Sequence, residues 1–499
     1  MNYVIGIDLG TSAVKILLID REGQVCKEIK KSYPLIQEKS GYSEQEPEQW
    51  IIQTTNGLKE LVNSFDGNIN SIEGISFAGQ MDGLVLLDKD NNVLRNAILW
   101  NDTRSSKQCR KIEEVVGKSR LLEITKNMPM EGLTLPQLLW VQDNEPEVFE
   151  KTNVFLLPKD YLRYRIVGSI NSEYSDAAAT LMLEIGKKKW SEEILQQFNI
   201  KLEICPSLVE SNECVGTISS DFAQSTGLSE STKVFAGGAD NACGAIGAGI
   251  LSIGKTLCSI GTSGVVVSYE ETPDRDFQGK VNYFNHAKEN AYFSMGAALS
   301  AGYSLSWFKD TFAQNEDFDS LLEGLADVPI GANGLIFTPY LVGERTPHID
   351  AVIRGSFIGL DATNKKIDFV RAVIEGVTFA LNESIEIFRD NGITVDTIIS
   401  IGGGAKNELW LQMQADIFNA KVVKLASEQG PGMGAAMLAA HGCGWFSSLE
   451  ECAEKFIKSD KIYKPIKENV EKYKELYKVY KMVYSQTKCI NEQLKSFRK

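Results

Sequence analysis

The sequence contains few residues of the types that build metal sites and disulfide scaffolds. Only three of its 499 residues are histidine, and none of them has the spacing of a zinc ligand pair. The nine cysteines form no Cys-x-x-Cys pair and are odd in number, which argues against a disulfide framework and predicts reduced thiols. A basic, apolar leader is missing, and so is any run of about 18 apolar residues that could span a membrane. We therefore expect a cytoplasmic protein.

An excess of basic residues is also missing. The chain has 52 lysines and arginines against 66 aspartates and glutamates, a net charge of −14. Proteins that bind nucleic acids generally need a basic face against the phosphate backbone, so this balance argues against such a partner. It does not exclude ATP, because a small site needs only local hydrogen-bond donors.

What the sequence does contain is a repeated hairpin pattern. In VIGIDLGTSAVKILLID, residues 4–20, two β-branched runs flank a turn with an acid, a glycine and two hydroxyls: Asp8, Gly10, Thr11 and Ser12. A similar stretch, LCSIGTSGVVVSYE, returns at residues 257–270 without the acid. Strand patterns alternate with helical patterns elsewhere, and the chain is too long for one hydrophobic core. We predict an α/β protein of two similar halves, residues 1–246 and 247–499.

Both turns are suited to phosphate. Backbone N–H groups and hydroxyls in such a turn can surround a phosphoryl group, with Thr11 and Ser12 in the first turn and Gly261 and Thr262 in the second. Asp8 ends the first strand, where its carboxylate could hold a water bound to Mg²⁺ between the β- and γ-phosphoryl groups. The repeat therefore predicts a clamp that binds ATP and Mg²⁺ between the two halves.

One further match to a phosphate-binding pattern is misleading. Residues 249–256, GILSIGKT, fit G-x-x-x-x-G-K-[ST] letter for letter. A phosphate loop needs a strand before it and a helix after it, so that amides at the helix start face the phosphates. Here a small-residue helical pattern precedes the motif and a β-branched run follows it. We predict that this match is a coincidence.

Taken together, these motifs resemble the FGGY carbohydrate kinases of the actin-like ATPase superfamily. The resemblance runs along nearly the whole chain, through the stretches GIDLGTSAVK, SEQEPEQW, AGQMDG, AILWNDTR, LPKDYLRYR, GGADNACGA, SIGTSG, PYLVGERTPH, EGVTFAL, IGGGAKN and GPGMGAA. It implies two actin-like, ribonuclease H-like domains with a cleft between them. The N-terminal one would bind the sugar and the C-terminal one the nucleotide, and the activity would be ATP-dependent phosphorylation of a sugar hydroxyl.

The resemblance also assigns residues to roles. Asp240 corresponds to the general base, which accepts the proton as the hydroxyl attacks the γ-phosphorus. From the local sequence alone, Asp240 could equally cap the helix that it precedes. The sugar is expected at Gln80, Met81, Asp82 and Asn241, and the nucleotide at Trp307, Gly403, Gly404 and Asn407. A homodimer is the family expectation.

Within the family the chain most resembles members that phosphorylate D-xylulose, but it departs from them at one position. Those members usually have histidine where this chain has Asp82. A carboxylate accepts hydrogen bonds from hydroxyls and repels anions in a desolvated pocket, so we expect a neutral ketose or polyol rather than an aldonate. Another ketose or polyol, such as ribulose or erythritol, is the alternative substrate. A conformational ATPase and a silent sugar-binding regulator are more distant alternatives.

Three expectations concern packing. The pattern GPGMGAA predicts a helix whose small residues allow close helix packing. Glu344 and Arg345 are expected to form an ion pair between the domains. The stripe Val470, Tyr473, Tyr477, Tyr480 and Tyr484 predicts a terminal helix that docks on the body of the protein.

Overall fold

Two seven-stranded sheets that share a central pattern of pairing form the frame of the molecule, seen here in a computed structural model that describes residues 2–498. The first sheet contains β1 (Tyr3–Leu9), β2 (Ala13–Asp20), β3 (Val25–Ser32), β4 (Ile72–Gly79), β5 (Cys214–Thr217), β6 (Lys233–Phe235) and β7 (Gly238–Ala239). The second contains β8 (Gly254–Ile260), β9 (Gly264–Glu270), β10 (Asn282–Asn285), β11 (Tyr292–Ala298), β12 (Val395–Gly402), β13 (Lys421–Leu425) and β14 (Ser459–Tyr463).

The pairing of these strands confirms the predicted repeat. The first sheet runs β5-β6-β4-β1-β2-β3, with β7 also on β4, and the second runs β14-β13-β12-β8-β9-β11-β10. In each sheet, two strands form an antiparallel hairpin, β1–β2 in the first and β8–β9 in the second. The first strand of the hairpin pairs in parallel with a third strand, β4 or β12, and that strand pairs in parallel with a fourth, β6 or β13. Strand β1 is buried along most of its length, as expected of an inner strand covered on both faces, whereas the edge strand β3 alternates. The fold is therefore α/β and built twice.

Helices cover both sheets, and short paired segments connect them. The helices of the first half are α1 (Pro47–Asn63), α2 (Ser106–Val116), α3 (Lys118–Thr125), α4 (Thr134–Asn144), α5 (Pro146–Lys151), α6 (Pro158–Val167), α7 (Tyr174–Ala177), α8 (Glu192–Gln197), α9 (Ser220–Thr226) and α10 (Asp240–Gly247). Those that follow are α11 (Gly302–Phe312), α12 (Phe318–Leu322), α13 (Lys366–Asp390), α14 (Glu408–Phe418), α15 (Pro431–Gly442), α16 (Leu449–Phe456) and α17 (Lys467–Leu494). The small sheets pair 44–45 with 97–98, 85–87 with 154–156, 171–173 with 207–209, 183–184 with 189–190, and 336–338 with 356–358.

Close packing of α10 on α15 joins the two halves. A Cβ on Gly434 of α15 would lie 1.8 Å from the carbonyl oxygen of Cys243 in α10, so only glycine fits there. Helix α15 also packs against β1, because a Cβ on Gly6 would meet the Gly432 carbonyl at 2.1 Å. The prediction of close packing for GPGMGAA is confirmed. The helix itself lies on the first sheet although it comes late in the chain.

The other local predictions can be compared directly with the structure. The residues after GILSIGKT continue as strand β8, with no helix behind a phosphate loop, so that match is indeed a coincidence. Helix α17 docks through its tyrosines, since Tyr473, Tyr477 and Tyr480 are buried and all contact Phe379. All nine cysteines are unpaired. Among residues 2–498, no helix is both long and apolar enough to cross a membrane.

Candidate active site

Asp8 lies where β1 ends and faces a cavity of about 280 Å³ between the two halves. Lys15 is its cross-strand neighbour on β2 and donates to Gln429 Oε1 at 2.8 Å. Burial raises the pKa of Asp8 to about 6, and the charge of Lys15 opposes that rise. Glu428 and Gly430, from the loop that leads into α15, line the same cavity. An ionisable carboxyl thus lies in a cavity that strands from both sheets help to form.

Asp240 is the first residue of α10 and follows β7 directly. Its Oδ1 accepts from the backbone N–H of Asn241 at 2.6 Å, while Ala239 occupies the N-cap position. The alternative that Asp240 is the helix cap therefore does not describe this geometry. Burial, and then the charge of Asp8, raise the pKa of Asp240 to about 7. A carboxyl poised near neutral pH suits proton transfer from a hydroxyl.

The predicted sugar residues meet beside this helix. The Asn241 side-chain amide donates to Met81 Sδ at 3.3 Å, which joins the two predicted segments. Gln80 is buried and donates to Gln45 Oε1 at 3.1 Å, and its own Oε1 is shielded from solvent without a partner. An unpaired buried acceptor next to the candidate base is the kind of atom that a bound hydroxyl would satisfy.

Asp82, the fourth predicted sugar residue, lies on a loop with a strained backbone. Its φ is +70°, in the left-handed region, and Thr134 Oγ1 donates to its carbonyl oxygen at 2.8 Å. Burial raises the pKa of Asp82 well above its ordinary value, the carboxyls of Asp176 and Asp240 add to the rise, and Arg345 opposes it. Its Oδ1 has no hydrogen-bond partner. The structure therefore brings Gln80, Met81, Asp82 and Asn241 to one place with Asp240.

The first phosphate turn is tied to its surroundings through Thr11. The hydroxyl of Thr11 accepts from Trp100 Nε1 at 2.9 Å, and its carbonyl accepts from Gln45 Nε2 at 2.6 Å. Ser12 is exposed. Neither residue lines the cavity at Asp8.

The second phosphate turn borders a larger cavity. Backbone carbonyls of Gly261 and Thr262 accept from the N–H groups of Gly302 and Tyr303, at 2.8 and 3.1 Å, which fix the turn against the start of α11. A cavity of about 380 Å³ opens beside it, with Gly403 and Asn407 also in its wall. The remaining lining is Ile260, Gly302, Tyr303, Leu305, Ser306, Phe318, Asp319, Leu322, Lys406 and Trp410. Mostly apolar walls with a few polar groups are typical of small-molecule sites.

Two predicted nucleotide residues lie outside that wall. Trp307 packs with its ring parallel to Phe337, with centroids 6.3 Å apart, and does not line the cavity. Gly404 is buried under Ile260, whose side chain would be 2.6 Å from an added Cβ. Tyr303 was missed, although it lies one helical turn before Trp307 in the same sequence stretch. That helical spacing is the signal that could have identified it.

The expected ion pair between Glu344 and Arg345 does not form, and that prediction is wrong. Glu344 Oε1 instead accepts from the backbone N–H groups of Leu299 and Arg345, at 3.1 and 2.8 Å. Burial raises the pKa of Glu344 to about 8, which favours the neutral acid. Burial lowers the pKa of Arg345, and the charge of Asp82 opposes this shift.

A buried charge network beneath Asp240 was not predicted. Lys159 is fully buried, with its Nζ 2.7 Å from Asp160, 3.3 Å from Glu173 and 3.0 Å from Asp176. Ser175 Oγ donates to Glu173 at 2.9 Å and accepts from the backbone N–H of Ala239 at 3.0 Å. The residue before Asp240 is therefore fixed to this network. The charges in LPKDYLRYR were the only sequence signal for it.

The donors present are compatible with ATP and Mg²⁺. Within the described residues, no group of three or more histidine, cysteine, aspartate or glutamate side chains could hold a metal by itself. Mg²⁺ usually keeps several waters and takes one or two carboxylates plus phosphate oxygens, and the Asp8 carboxyl fits that ligand set. Cavities at Asp8 and at Gly403 adjoin the same β8 hairpin and the same end of β12.

Comparison with known proteins agrees with this arrangement. Residues 3–247 match the N-terminal domain of the FGGY family of carbohydrate kinases, and residues 256–443 match its C-terminal domain. The chain belongs to the FGGY family of carbohydrate kinases. An FGGY kinase acts on a carbohydrate and uses ATP as its second substrate.

Individual relatives of this FGGY kinase cover its whole length. Xylulose kinase of Bacillus subtilis (strain 168) is 62% identical over 499 residues, 100% of both chains. Ligand-bound xylulose kinase from Lactobacillus acidophilus has a similar structure, with a TM-score of 0.94 and 28% identity, covering 99% of this chain and 100% of that one. Gluconate kinase from Lactobacillus acidophilus gives a TM-score of 0.92 at 28% identity, covering 97% and 98%. Proteins named for a neutral ketose and for an acidic sugar thus share this fold.

Proposed function

We propose that this FGGY kinase transfers the γ-phosphoryl group of ATP to a hydroxyl of D-xylulose and forms D-xylulose 5-phosphate. The observation that carries the reaction is the position of Asp240, a half-buried carboxyl at the start of α10 whose neighbour Asn241 contacts Met81. Burial and then the charge of Asp8 raise its pKa to about 7. The full-length similarity to xylulose kinase of Bacillus subtilis supports the choice of sugar.

In this proposal each group has one task. Asp240 accepts the hydroxyl proton while the hydroxyl oxygen forms its bond to the γ-phosphorus and the bond to ADP breaks. Asp8 holds the site's Mg²⁺ through water, and the ion, when bound, would neutralise charge on the phosphoryl groups. Asn241 and Gln80 orient the sugar, and closure of the halves would exclude water.

The remaining predicted site residues are assigned to the phosphates or to the nucleoside of ATP. Thr11, Ser12, Gly261 and Thr262 would contact phosphates, and Gly403 and Asn407 the nucleoside. Trp307 and Gly404 would support the nucleotide site from behind its wall, because neither lines the cavity. We propose a cytoplasmic location. A homodimer is the form that the family resemblance predicts, and sedimentation velocity on the purified chain tests its size.

Asp82 favours a second candidate, which is phosphorylation of another neutral ketose or a polyol. A carboxyl without a hydrogen-bond partner at Oδ1 could select a different hydroxyl arrangement from the one that histidine selects. A conformational ATPase is not favoured, since Gln80, Met81 and Asn241 would then have no ligand to orient. We also propose that the N-terminal domain comprises residues 1–246 and the C-terminal domain residues 247–499.

The test is ADP release with MgATP against D-xylulose, L-xylulose, both ribuloses, erythritol, glycerol and gluconate. Selective turnover of D-xylulose, with ³¹P NMR placing the phosphate on carbon 5, supports the proposal. Preference for ribulose or erythritol supports the second candidate instead. ATP turnover that no sugar stimulates would contradict both.

A further inference from the structure

The buried glutamine of the stretch SEQEPEQW, Gln45, connects a predicted sugar residue to the first phosphate turn. Gln45 ends the short strand that precedes α1 and is 1% exposed. Its Oε1 accepts from Gln80 Nε2 at 3.1 Å and from Trp50 Nε1 at 2.9 Å. Its Nε2 donates to the Thr11 carbonyl at 2.6 Å and to the Pro34 carbonyl at 3.4 Å. Both lone pairs and both N–H groups of this amide are therefore used.

The indole of Trp50 decides which way round the Gln45 amide lies. An indole N–H can only donate, so the Gln45 atom that faces it is the oxygen. Turning the amide over would place its NH₂ group against the indole N–H, and its oxygen against the carbonyls of Thr11 and Pro34. Trp50 is itself fully buried and packs edge-on against the ring of Tyr161, with centroids 6.4 Å apart. The neighbours of Gln45 thus fix its orientation.

The orientation of Gln45 in turn determines that of Gln80. Because Gln45 offers an acceptor, Gln80 directs its NH₂ group toward Gln45 and its oxygen elsewhere. That oxygen is shielded from solvent and has no partner. The backbone of Gln80 is also fixed, since its N–H donates to the Leu9 carbonyl at 2.9 Å. The unpaired atom that Gln80 holds next to Met81 is therefore an acceptor, which a hydroxyl can satisfy by donating.

We infer that Gln45 is a positioning residue for the sugar, because it fixes Gln80 as a hydrogen-bond acceptor for one sugar hydroxyl. The inference rests on the proposed function and adds to it a residue one step removed from the substrate. A sugar without a hydroxyl at that place leaves the Gln80 oxygen unpaired and binds less tightly. The phosphate turn depends less on Gln45, since the N–H of Gly10 closes it on the Ala13 carbonyl at 3.1 Å.

The experiment is a double-mutant cycle of Gln45→Met and Gln80→Ala, run with the sugar of the panel that the unaltered enzyme turns over fastest. Methionine keeps the length of glutamine and removes both its donor and its acceptor. Gln108→Met is the matched control, since Gln108 is also buried in the first half and donates to Asp143 at 2.9 Å. The KM for the sugar and the KM for ATP are measured for each variant, and thermal melts check that each is folded.

Gln45→Met is expected to raise the KM for the sugar by about tenfold, while the KM for ATP stays within about threefold, because Gln80 loses the partner that orients it. In the Gln80→Ala background the same substitution should change the sugar KM by at most about twofold, because no amide is left to orient. Gln45→Glu retains an acceptor for Gln80 and should stay within about threefold of the unaltered enzyme. Gln108→Met should stay within about twofold, as a site that shares no partner with Gln80.

An unchanged sugar KM in Gln45→Met would overturn the inference. Equal effects of this substitution with and without the Gln80 side chain would do the same, since they would show a role in packing alone. If Gln45→Met does not fold, Trp50→Phe takes its place in the cycle, because it removes the indole N–H and leaves Gln45 present. It should then raise the sugar KM only where Gln80 is intact, and the inference is overturned if it does not.

The unaltered enzyme separates this inference from the proposed function. Sugar-dependent turnover together with additive effects in the cycle would overturn the role of Gln45 and leave the proposed function standing. Absence of turnover that depends on any sugar would overturn the proposed function, and this inference with it.

Discussion

Asn241 donates its side-chain amide to the sulfur of Met81, 3.3 Å away, so the residue after the candidate base contacts the loop that carries Asp82. The two residues are 160 positions apart in the chain. Through this contact the start of α10 and the end of β4 form one surface. Proton transfer and sugar selection therefore depend on neighbouring side chains rather than on separate sites.

Replacement of the candidate base should remove turnover without removing the fold. Asp240→Asn keeps the shape of the side chain but cannot accept the proton, so kcat should fall by a factor of about 10² to 10⁴. Nucleotide affinity, measured by titration calorimetry with ADP, should be unchanged. Thermal stability should not fall either, because burial already disfavours the charged form of this carboxyl. Turnover within about threefold of the unaltered enzyme would contradict the assignment.

Turnover should also depend on pH in a way that identifies the base. Because the pKa of Asp240 is raised to about 7, kcat/KM for the sugar should fall about tenfold per pH unit below that value, as the base becomes protonated. The charge of Asp8 contributes to the raised pKa. Asp8→Asn should therefore move the acidic limb of the residual activity to lower pH. A limb that stays in place in this variant would show that another group titrates.

Loss of the buried lysine should destabilise the molecule strongly. Lys159→Met leaves Asp160, Glu173 and Asp176 buried without their shared cation, and the free energy of unfolding should fall by about 3–5 kcal/mol. Lys111→Met is the control, because the Lys111–Asp143 pair is exposed and should contribute at most about 1 kcal/mol. Urea denaturation of the two variants measures the difference. Equal losses would mean that the network contributes no more than a surface pair.

The crossing of α10 and α15 should tolerate a methyl group at one glycine and reject it at another. Gly434→Ala would place its Cβ 1.8 Å from the Cys243 carbonyl, so the helices must separate, and we expect a loss of about 1–3 kcal/mol. At Gly244 the nearest atom to an added Cβ is Pro431 Cγ at 3.8 Å, an ordinary contact. Gly244→Ala should therefore be neutral or stabilise by up to about 1 kcal/mol through helix propensity. Thermal melts of both variants provide the comparison.

Much of the fold was predictable because its signals are local. The hairpins around Thr11 and Thr262 were visible from β-branched runs and turn residues, and Pro47 marked the start of α1. Small residues in GPGMGAA indicated close packing, but not that α15 would lie against β1. The partner of such a surface depends on the path of the whole chain, which periodicity does not encode.

The candidate site, too, has residues that the sequence predicted and residues whose place only the packing decided. Asp8, Asp240 and the sugar residues could be predicted because motifs mark them and the family resemblance orders them. Trp307 and Tyr303 differ by one helical turn, and only the packing of Phe337 against Trp307 decided which of them reaches the cavity. Likewise, Glu344 and Arg345 are adjacent in sequence, yet the Glu344 carboxyl accepts from two backbone N–H groups and does not pair with the Arg345 guanidinium.

The sequence by itself thus determined the chemical groups, the repeated α/β pattern and the family. Only the tertiary structure decided which charges are paired, since the fold brings Lys159 of α6 to Glu173 and Asp176, which lie outside that helix. Burial then determines their protonation, because a pKa depends on the solvent and charges that the assembled fold leaves around each group.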